Sequence, residues 1–291
     1  ALPVGANAEI AGLALYQIGG ETPTGVDGVV QVFDSVNRTW RKVADKPTPV
    51  ADASAAELYG ELYVAGGRLA DGQPTSVVEA YSPTQDAWRP IASLPHPITE
   101  GLTLSDGAFL YVIGGYDGKS YLDSMYLYDP ATDSWRPLPP MPQPRANATG
   151  SALTGKLVVV GGSNSSGDLD TCQAFDPAAE LWSDCPPMLL PRQGAGSAVL
   201  LNRLYVIGGA NAEGTVTFSE MFDPTTETWQ LINTPMLVDS SGWQDLGVGQ
   251  IETRIYAIGG REGESLMDSN YVFAPLVYQT YIPAASSADE E

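Results

Sequence analysis

The chain has 291 residues, of which 43% are hydrophobic, so it can bury the core of one large domain or two ordinary ones. Its formal net charge is −21, with only 14 Lys and Arg residues. This balance excludes nucleic acid as a partner, because affinity for phosphate backbones rests on cationic side chains. No run approaches the about 18 apolar residues of a membrane span, so we expect no membrane insertion.

One apolar hexamer recurs six times along the chain. It reads LYQIGG at 15–20, LYVAGG at 62–67, LYVIGG at 110–115, LVVVGG at 157–162, LYVIGG at 204–209 and IYAIGG at 255–260. The first glycines of these pairs are spaced by 47, 48, 47, 47 and 51 residues. A strand-like period of about 40–50 residues predicts the blades of a β-propeller, and six such repeats use nearly the whole chain.

Two further landmarks follow each glycine pair in the first five repeats. An aromatic residue precedes a turn, as in YDP at 128–130, and a tryptophan lies 21 or 22 residues beyond the first glycine. These tryptophans are Trp40, Trp88, Trp135, Trp182 and Trp229. The pattern predicts four strands per repeat, with small residues on the innermost strand, where the blades converge, and large aromatics farther out.

The segment LYVIGGYDGKSYLDSMYLYDPATDSWRPL at 110–138 resembles a kelch repeat, and the resemblance extends over residues 5–282. It implies an all-β, six-bladed β-propeller of four-stranded antiparallel blades, of the bacterial type. We expect a single propeller at 1–283, closed by packing of the sixth blade on the first, and an acidic tail or linker at 284–291. The expected blades span about 5–46, 50–94, 98–142, 146–188, 193–235 and 245–283.

The chain has two cysteines, both in the fourth repeat. If Phe175 faces Trp182 across the last hairpin of that repeat, the same register places Cys172 opposite Cys185, close enough for a disulfide. The alternative is two buried thiols. A disulfide predicts an oxidising compartment, so we expect a secreted, periplasmic or cell-surface protein.

Catalytic and metal chemistry find little support in the sequence. His96 is the only histidine, so multi-histidine metal sites are excluded, and so is the paired-histidine copper site of the kelch-like radical oxidases. Asp168 and Asp170 could hold Ca²⁺, but a solvated acidic loop is the competing interpretation. We expect no catalytic residue, no metal and no cofactor.

Binding residues are expected on the face where the loops after each second strand meet the loops between blades. That face surrounds the mouth of the central channel. Its candidate ligand-binding residues are Arg68, Tyr116, Arg145, Arg192, Trp243 and Arg261. A ring of arginines could bind an acidic peptide, although the arginines that follow proline could instead brace their loops. Trp243 comes with four extra residues between the fifth and sixth repeats. It is either a ligand platform or a residue that plugs the channel or packs on blade 1.

The sequence therefore predicts a monomeric, non-catalytic module that binds a protein, peptide or glycan, with an acidic ligand as one option. The resemblance allows an alternative, a sugar epimerase or mutarotase similar to the periplasmic kelch sialic-acid mutarotases. Its candidate bases are Glu100, Glu213, Glu262 and Glu264. A carboxylate of raised pKa that faces an arginine would favour the enzyme. A third hypothesis is a structural module of a larger surface protein.

Overall fold

The computed structural model describes residues 7–11, 14–232, 242–263, 265–267 and 270–274. Within these ranges the chain forms strands and turns, and the main strands build six antiparallel sheets. This arrangement confirms the predicted six-bladed β-propeller. The expected outer strand of the sixth blade and the tail at 284–291 lie outside the described residues, so the proposed domain limits remain predictions.

The first three blades each contain four consecutive strands, ordered from the channel outward. Blade 1 consists of β1 (Asn7–Ala11), β2 (Ala14–Thr22), β3 (Gly25–Asp34) and β4 (Thr39–Lys42). Blade 2 consists of β5 (Ser54–Leu58), β6 (Glu61–Ala65), β7 (Val78–Ser82) and β8 (Ala87–Pro90). Blade 3 consists of β9 (Leu102–Ser105), β10 (Leu110–Ile113), β11 (Met125–Asp129) and β12 (Ser134–Leu138).

The last three blades also carry short strands in the loop after the second strand. Blade 4 consists of β13 (Thr149–Leu153), β14 (Lys156–Val160), the short β15 (Ser163–Asn164) and β16 (Gly167–Asp168), β17 (Cys172–Asp176) and β18 (Leu181–Cys185). Blade 5 consists of β19 (Gln193–Leu200), β20 (Arg203–Asn211), the short β21 (Gly214–Thr215), β22 (Ser219–Asp223) and β23 (Thr228–Ile232). Blade 6 consists of β24 (Gly247–Ile251), β25 (Arg254–Ile258), the short β26 (Arg261–Glu262) and β27 (Ser265–Leu266), and β28 (Asn270–Phe273).

The innermost strands form a closed ring. Each contacts the innermost strand of the next blade, and β1 contacts both β5 and β24. The described part of blade 1 is built from consecutive strands. Within the described residues, the ring therefore closes by packing of blade 6 against blade 1, as the sequence predicts.

The recurring tryptophans join neighbouring blades. Trp135 lies opposite Tyr128 across the β11–β12 hairpin, with the ring centroids 5.1 Å apart. Its indole N–H donates to the Ala92 carbonyl, 2.8 Å away, at the end of blade 2. Trp88, Trp182 and Trp229 make the corresponding bond to the preceding blade junction. The aromatic landmarks of the sequence are therefore packing residues between blades.

The glycine pairs allow a close approach between a strand end and the next blade junction. Gly114 has φ = 61°, and a Cβ atom there would lie 2.6 Å from the Arg145 carbonyl oxygen. The N–H of Gly115 donates to that same oxygen at 2.8 Å. Only glycine combines this left-handed backbone with the space required.

The predicted disulfide is present. Cys172 on β17 and Cys185 on β18 are register partners with Cα atoms 5.0 Å apart, and their sulfurs are bonded. The register that pairs Phe175 with Trp182 places the two cysteines opposite each other. The bridge fastens the outermost strand of blade 4 to its neighbour.

Candidate functional site

The central channel is a cavity of about 530 Å³. Among the described residues it is lined by the innermost strands of blades 2 to 6, which present mainly Ala, Ser, Thr and Gly side chains. At one end of the channel, the loops after the second strands meet the loops between blades. We call this end the mouth. Wide access and varied side chains make the mouth the first place to look for a ligand.

An inner ring surrounds the mouth, with one residue from each of blades 2 to 6. Its members are Asp52, Glu100, Asn147, Gly194 and Asp245, and all have φ between 52° and 62°. Each N–H after Asp52 donates to the carbonyl oxygen of the preceding member, over 2.8 to 3.1 Å. This head-to-tail chain of hydrogen bonds gives the inner ring a fixed backbone, from which the side chains extend.

A second set of residues, the rim ring, lies beside the inner ring. Each member directly follows a glycine pair. The members are Glu21, Arg68, Tyr116, Ser163, Ala210 and Arg261. β-Bridges attach Arg68 to Ala51, Tyr116 to Thr99 and Arg261 to Gln244, which directly precede inner-ring residues. In blades 2 to 6, each rim residue therefore accompanies the inner-ring residue of its own blade.

Two arginines of the rim ring are neutralised by carboxylates. Arg68 donates from Nε to Asp52 Oδ2 at 2.7 Å and from Nη2 to Glu21 Oε2 at 2.9 Å. Arg261 Nε lies 3.1 Å from Asp245 Oδ2, an ion pair without hydrogen-bond alignment. Together with Glu100, the described side chains of the inner and rim rings therefore comprise four carboxyl groups and two guanidinium groups.

Two of these carboxyl groups hold their protons more tightly than usual. Burial raises the pKa of Asp245 to about 6, against the opposing effect of Arg261 and with a further rise from the charge of Asp52. Burial also raises the pKa of Glu100, and the charges of Asp52 and Asp245 add to the rise. The mouth thus contains one carboxyl group, that of Asp245, that changes charge near pH 6, and a second, that of Glu100, whose pKa is raised by the same causes.

Three predicted ligand-binding residues lie in the rim ring: Arg68, Tyr116 and Arg261. Their side chains are partly exposed, and Tyr116 packs against Tyr121 with the ring centroids 5.4 Å apart. The structure brings these three residues to one place in the fold. Ligand binding by them remains a prediction.

Arg145 is not on the ligand-accessible surface, contrary to expectation, because it is 1% exposed. Its guanidinium donates to the Gly161 and Thr171 carbonyls at 2.9 and 3.2 Å and also to the side chains of Gln143, Thr171 and Gln173. No carboxylate is among these partners, and burial lowers its pKa to about 10. Arg145 therefore braces the junction between blades 3 and 4.

Arg192 is likewise 1% exposed and occupies the corresponding place between blades 4 and 5. It donates to the Gly208 carbonyl at 3.0 Å and forms a fully buried ion pair with Glu220. The expectation of a ligand-binding role is corrected here too. The proline-arginine dipeptides brace loops, which was the competing interpretation.

Trp243 is fully buried, so the idea of an exposed ligand platform is wrong. Its indole N–H donates to the Gly259 carbonyl at 2.5 Å, and its ring packs edge-on against Tyr271. It lies in the core between blades 5 and 6 with residues such as Leu246 and Ile207. Its packing partners among the described residues belong to blades 5 and 6, and it does not line the channel, so the expected alternatives of a channel plug and of packing on blade 1 are not seen there.

The inner ring was largely missed by sequence reasoning, which named only Glu100, as a base. A signal was available, because each member lies 14 residues before the first glycine of its blade's pair. Among the other proposed bases, Glu213 is exposed at the tip of the β20–β21 hairpin. The side chain of Glu262 and all of Glu264 lie outside the described residues.

No metal centre is found in the part of the chain that the structure describes, where no three His, Cys, Asp or Glu residues are placed to hold an ion. His96 is exposed and lies near Tyr126, with ring centroids 6.5 Å apart. Over the same residues, no helix is both long and apolar enough to cross a bilayer.

Comparison with known proteins agrees with the repeat pattern. The family model for the KLHDC2/KLHL20/DRC7 kelch-repeats domain matches residues 103–260, more than half of the chain. The kelch-motif model matches residues 49–95. No curated protein matches the chain significantly. The spacing of glycines, aromatics and tryptophans, the six blades and these matches show that the chain belongs to the kelch-repeat family.

Proposed function

We propose that this protein is a non-catalytic binding module that recognises a protein or peptide through the channel mouth. One observation carries the proposal: Arg68, Tyr116 and Arg261 occupy equivalent rim-ring positions around one end of an open channel. Kelch-repeat domains are protein-interaction modules in general, which supports a macromolecular partner. A glycan remains the alternative ligand.

An acidic ligand receives less support from the geometry. Arg145 and Arg192 are buried, and Arg68 and Arg261 are already paired with carboxylates. Among the described side chains of the inner and rim rings, four carboxyl groups outnumber two guanidinium groups, so these rings carry a net negative charge when the carboxyl groups are ionised. We therefore propose a neutral or basic recognition segment, because like charges across an interface oppose binding.

Arrays of peptides and glycans test this proposal. The double variant Arg68→Ala, Arg261→Ala should change the affinity for the hits of the natural chain about tenfold or more. Neutral hits lose guanidinium contacts and should bind more weakly, whereas basic hits lose like-charge repulsion and should bind more tightly. The matched control is Arg136→Ala, Arg203→Ala, which removes two other surface ion pairs, those with Glu180 and Asp223. Unchanged affinity in the rim variant would refute the mouth as the binding site.

The disulfide supports a location outside the cytoplasm. Bridges between cysteines persist in oxidising compartments and are rare where glutathione keeps thiols reduced. We infer a secreted, periplasmic or cell-surface protein from the Cys172–Cys185 bond. Mass spectrometry tests this inference on the chain isolated from its own cells, with free thiols blocked during lysis. Unbridged cysteines in that sample would contradict it.

A second candidate function is a sugar mutarotase, favoured by one observation at the mouth. Asp245 combines a pKa of about 6 with a neighbouring arginine, Arg261. A group of this pKa can take the proton of an anomeric hydroxyl as the ring C–O bond breaks and return a proton to the ring oxygen. With glucuronic acid as the probe, anomer exchange should be faster than in buffer and should return to the buffer rate in Asp245→Asn.

A further inference from the structure

In blades 1 to 5, the outermost strand has one edge that pairs with no other strand of its sheet. Within the described residues, β4, β8, β12, β18 and β23 each end their sheet. Such an edge presents free backbone N–H and C=O groups that can pair with another strand. Soluble proteins block these edges with charged residues or proline, because proline lacks the N–H that pairing requires.

Four of these edge strands carry such protection directly after the tryptophan. The next two residues are Arg41-Lys42 in blade 1, Arg89-Pro90 in blade 2, Arg136-Pro137 in blade 3 and Ser183-Asp184 in blade 4. In blade 5 they are Gln230 and Leu231. Among the five described fourth strands, β4, β8, β12, β18 and β23, only β23 has neither charge nor proline within its strand.

Apolar side chains surround this unprotected edge. Leu231 is 59% exposed, and its register partner is Glu220. The Glu220 carboxylate accepts the N–H groups of Leu189 and Leu190, which are 51% and 37% exposed. Glu220 therefore connects three exposed leucines at the junction between blades 4 and 5: Leu231 is its register partner, and the N–H groups of Leu189 and Leu190 bond its carboxylate.

These leucines replace polar or rigid residues of the other blade junctions. The residues equivalent to Leu189 and Leu190 are Pro47-Thr48, Pro95-His96 and Pro142-Gln143. The apolar patch and the open backbone edge are thus two departures from the repeat that coincide in space. The open backbone edge pairs with a partner in extended conformation, and the exposed leucines favour apolar side chains on that partner.

We propose that the β23 edge binds an extended, basic segment of another protein as an added strand. The chain's net charge of −21 repels a second copy and attracts a cationic segment. The bound segment pairs its backbone with β23, places alternate apolar side chains against Leu189, Leu190 and Leu231, and holds its basic side chains on the other face. This site lies at the outer rim and is separate from the channel mouth.

A designed peptide tests the proposal. The probe has about eight residues, alternates leucine with lysine, and is used in about 0.3 M NaCl to screen non-specific attraction. One comparison peptide alternates leucine with glutamate. The test variant is Leu231→Pro, which the fold accepts because Pro90 and Pro137 occupy the equivalent positions. The control is Leu181→Ser, another exposed leucine on an edge strand, in blade 4.

The expected result has three parts. The leucine-lysine peptide protects the β23 amides from hydrogen exchange, Leu231→Pro weakens its binding about tenfold, and Leu181→Ser leaves binding unchanged. Equal binding to Leu231→Pro, protection elsewhere, no protection, or equal binding of the glutamate peptide would each overturn the proposal. So would a dimer of the natural chain that Leu231→Pro abolishes, because the occupant would then be a second copy.

Discussion

Trp243 donates its indole N–H to the carbonyl oxygen of Gly259 and thereby takes the place that arginine holds at two other junctions. Arg145 bonds the Gly161 carbonyl and Arg192 bonds the Gly208 carbonyl, each 16 residues ahead, as for Trp243. The four extra residues before Trp243 do not change the spacing of 16 residues between the donor and the acceptor. These three blade junctions therefore share one contact. In each, a side-chain N–H of the loop between blades donates to the carbonyl of the first glycine in the next blade's pair.

Trp243→Ala should destabilise the protein by about 3–5 kcal/mol, the usual cost of emptying a large buried aromatic site. Trp243→Phe keeps most of the packing but leaves the Gly259 carbonyl without its donor, so about 1–3 kcal/mol is expected. Urea unfolding measures both values. A Trp243→Ala protein with unchanged stability and lost ligand binding would restore the idea of a ligand platform.

Most of the fold could be predicted because its signals are local and repeated. The offset between Gly114 and Trp135 recurs to within one residue in the other four of the first five repeats, and each copy indicates the same strand order. The disulfide followed from register alone, since Phe175, Trp182 and the cysteines share one hairpin. The strand order and the disulfide pairing both follow from the spacing of residues along the chain, and that spacing can be measured from the sequence.

The burial of Arg145 and Arg192 could not be predicted in the same way. Whether an arginine after proline faces solvent or the core depends on which acceptors the next blade supplies. Several of those acceptors are backbone carbonyls, such as those of Gly161 and Gly208, and a sequence does not show where backbone carbonyls point. Glu220 was visible, but its pairing with Arg192 arises only after the blades assemble.

Arg192→Met should destabilise the protein by about 3–5 kcal/mol, because it leaves the Glu220 carboxylate buried without its cation. Adding Glu220→Gln should recover part of the loss, since the charge disappears while hydrogen bonding remains. Arg145→Met is the matched comparison, as its side-chain partners are neutral, so a smaller loss is expected. Equal losses in the two single variants would show that the buried charge matters little.

Reduction of the Cys172–Cys185 bond should lower the free energy of unfolding by about 3 kcal/mol, because a closed loop no longer restricts the unfolded chain. The variant Cys172→Val, Cys185→Ile copies the pair found at Val78 and Ile91 in blade 2. It should fold and should not respond to reductant. Urea unfolding with and without a dithiol distinguishes the two proteins, and an unresponsive natural chain would contradict the prediction.

The carboxyl group of Asp245 should make stability fall as pH rises from about 4 to about 6. Burial raises its pKa to about 6 in the folded protein, above the value near 4 expected in the unfolded chain. The folded state therefore binds this proton more tightly, so the stabilising contribution is complete below pH 4 and is lost as pH passes 6. Asp245→Asn cannot ionise and should lack this dependence.

Urea unfolding at a series of pH values, compared between the natural chain and Asp245→Asn, isolates this group from the neighbouring Arg261, Asp52 and Glu100. Asp34→Asn is a control of opposite sign. Hydrogen bonds from Asn37 and Val36 hold the pKa of Asp34 below its usual value, so its contribution is present above pH 4 and is lost in acid. If Asp245→Asn and the natural chain differ by the same amount at pH 4 and pH 7, the carboxyl at the mouth does not titrate in this range.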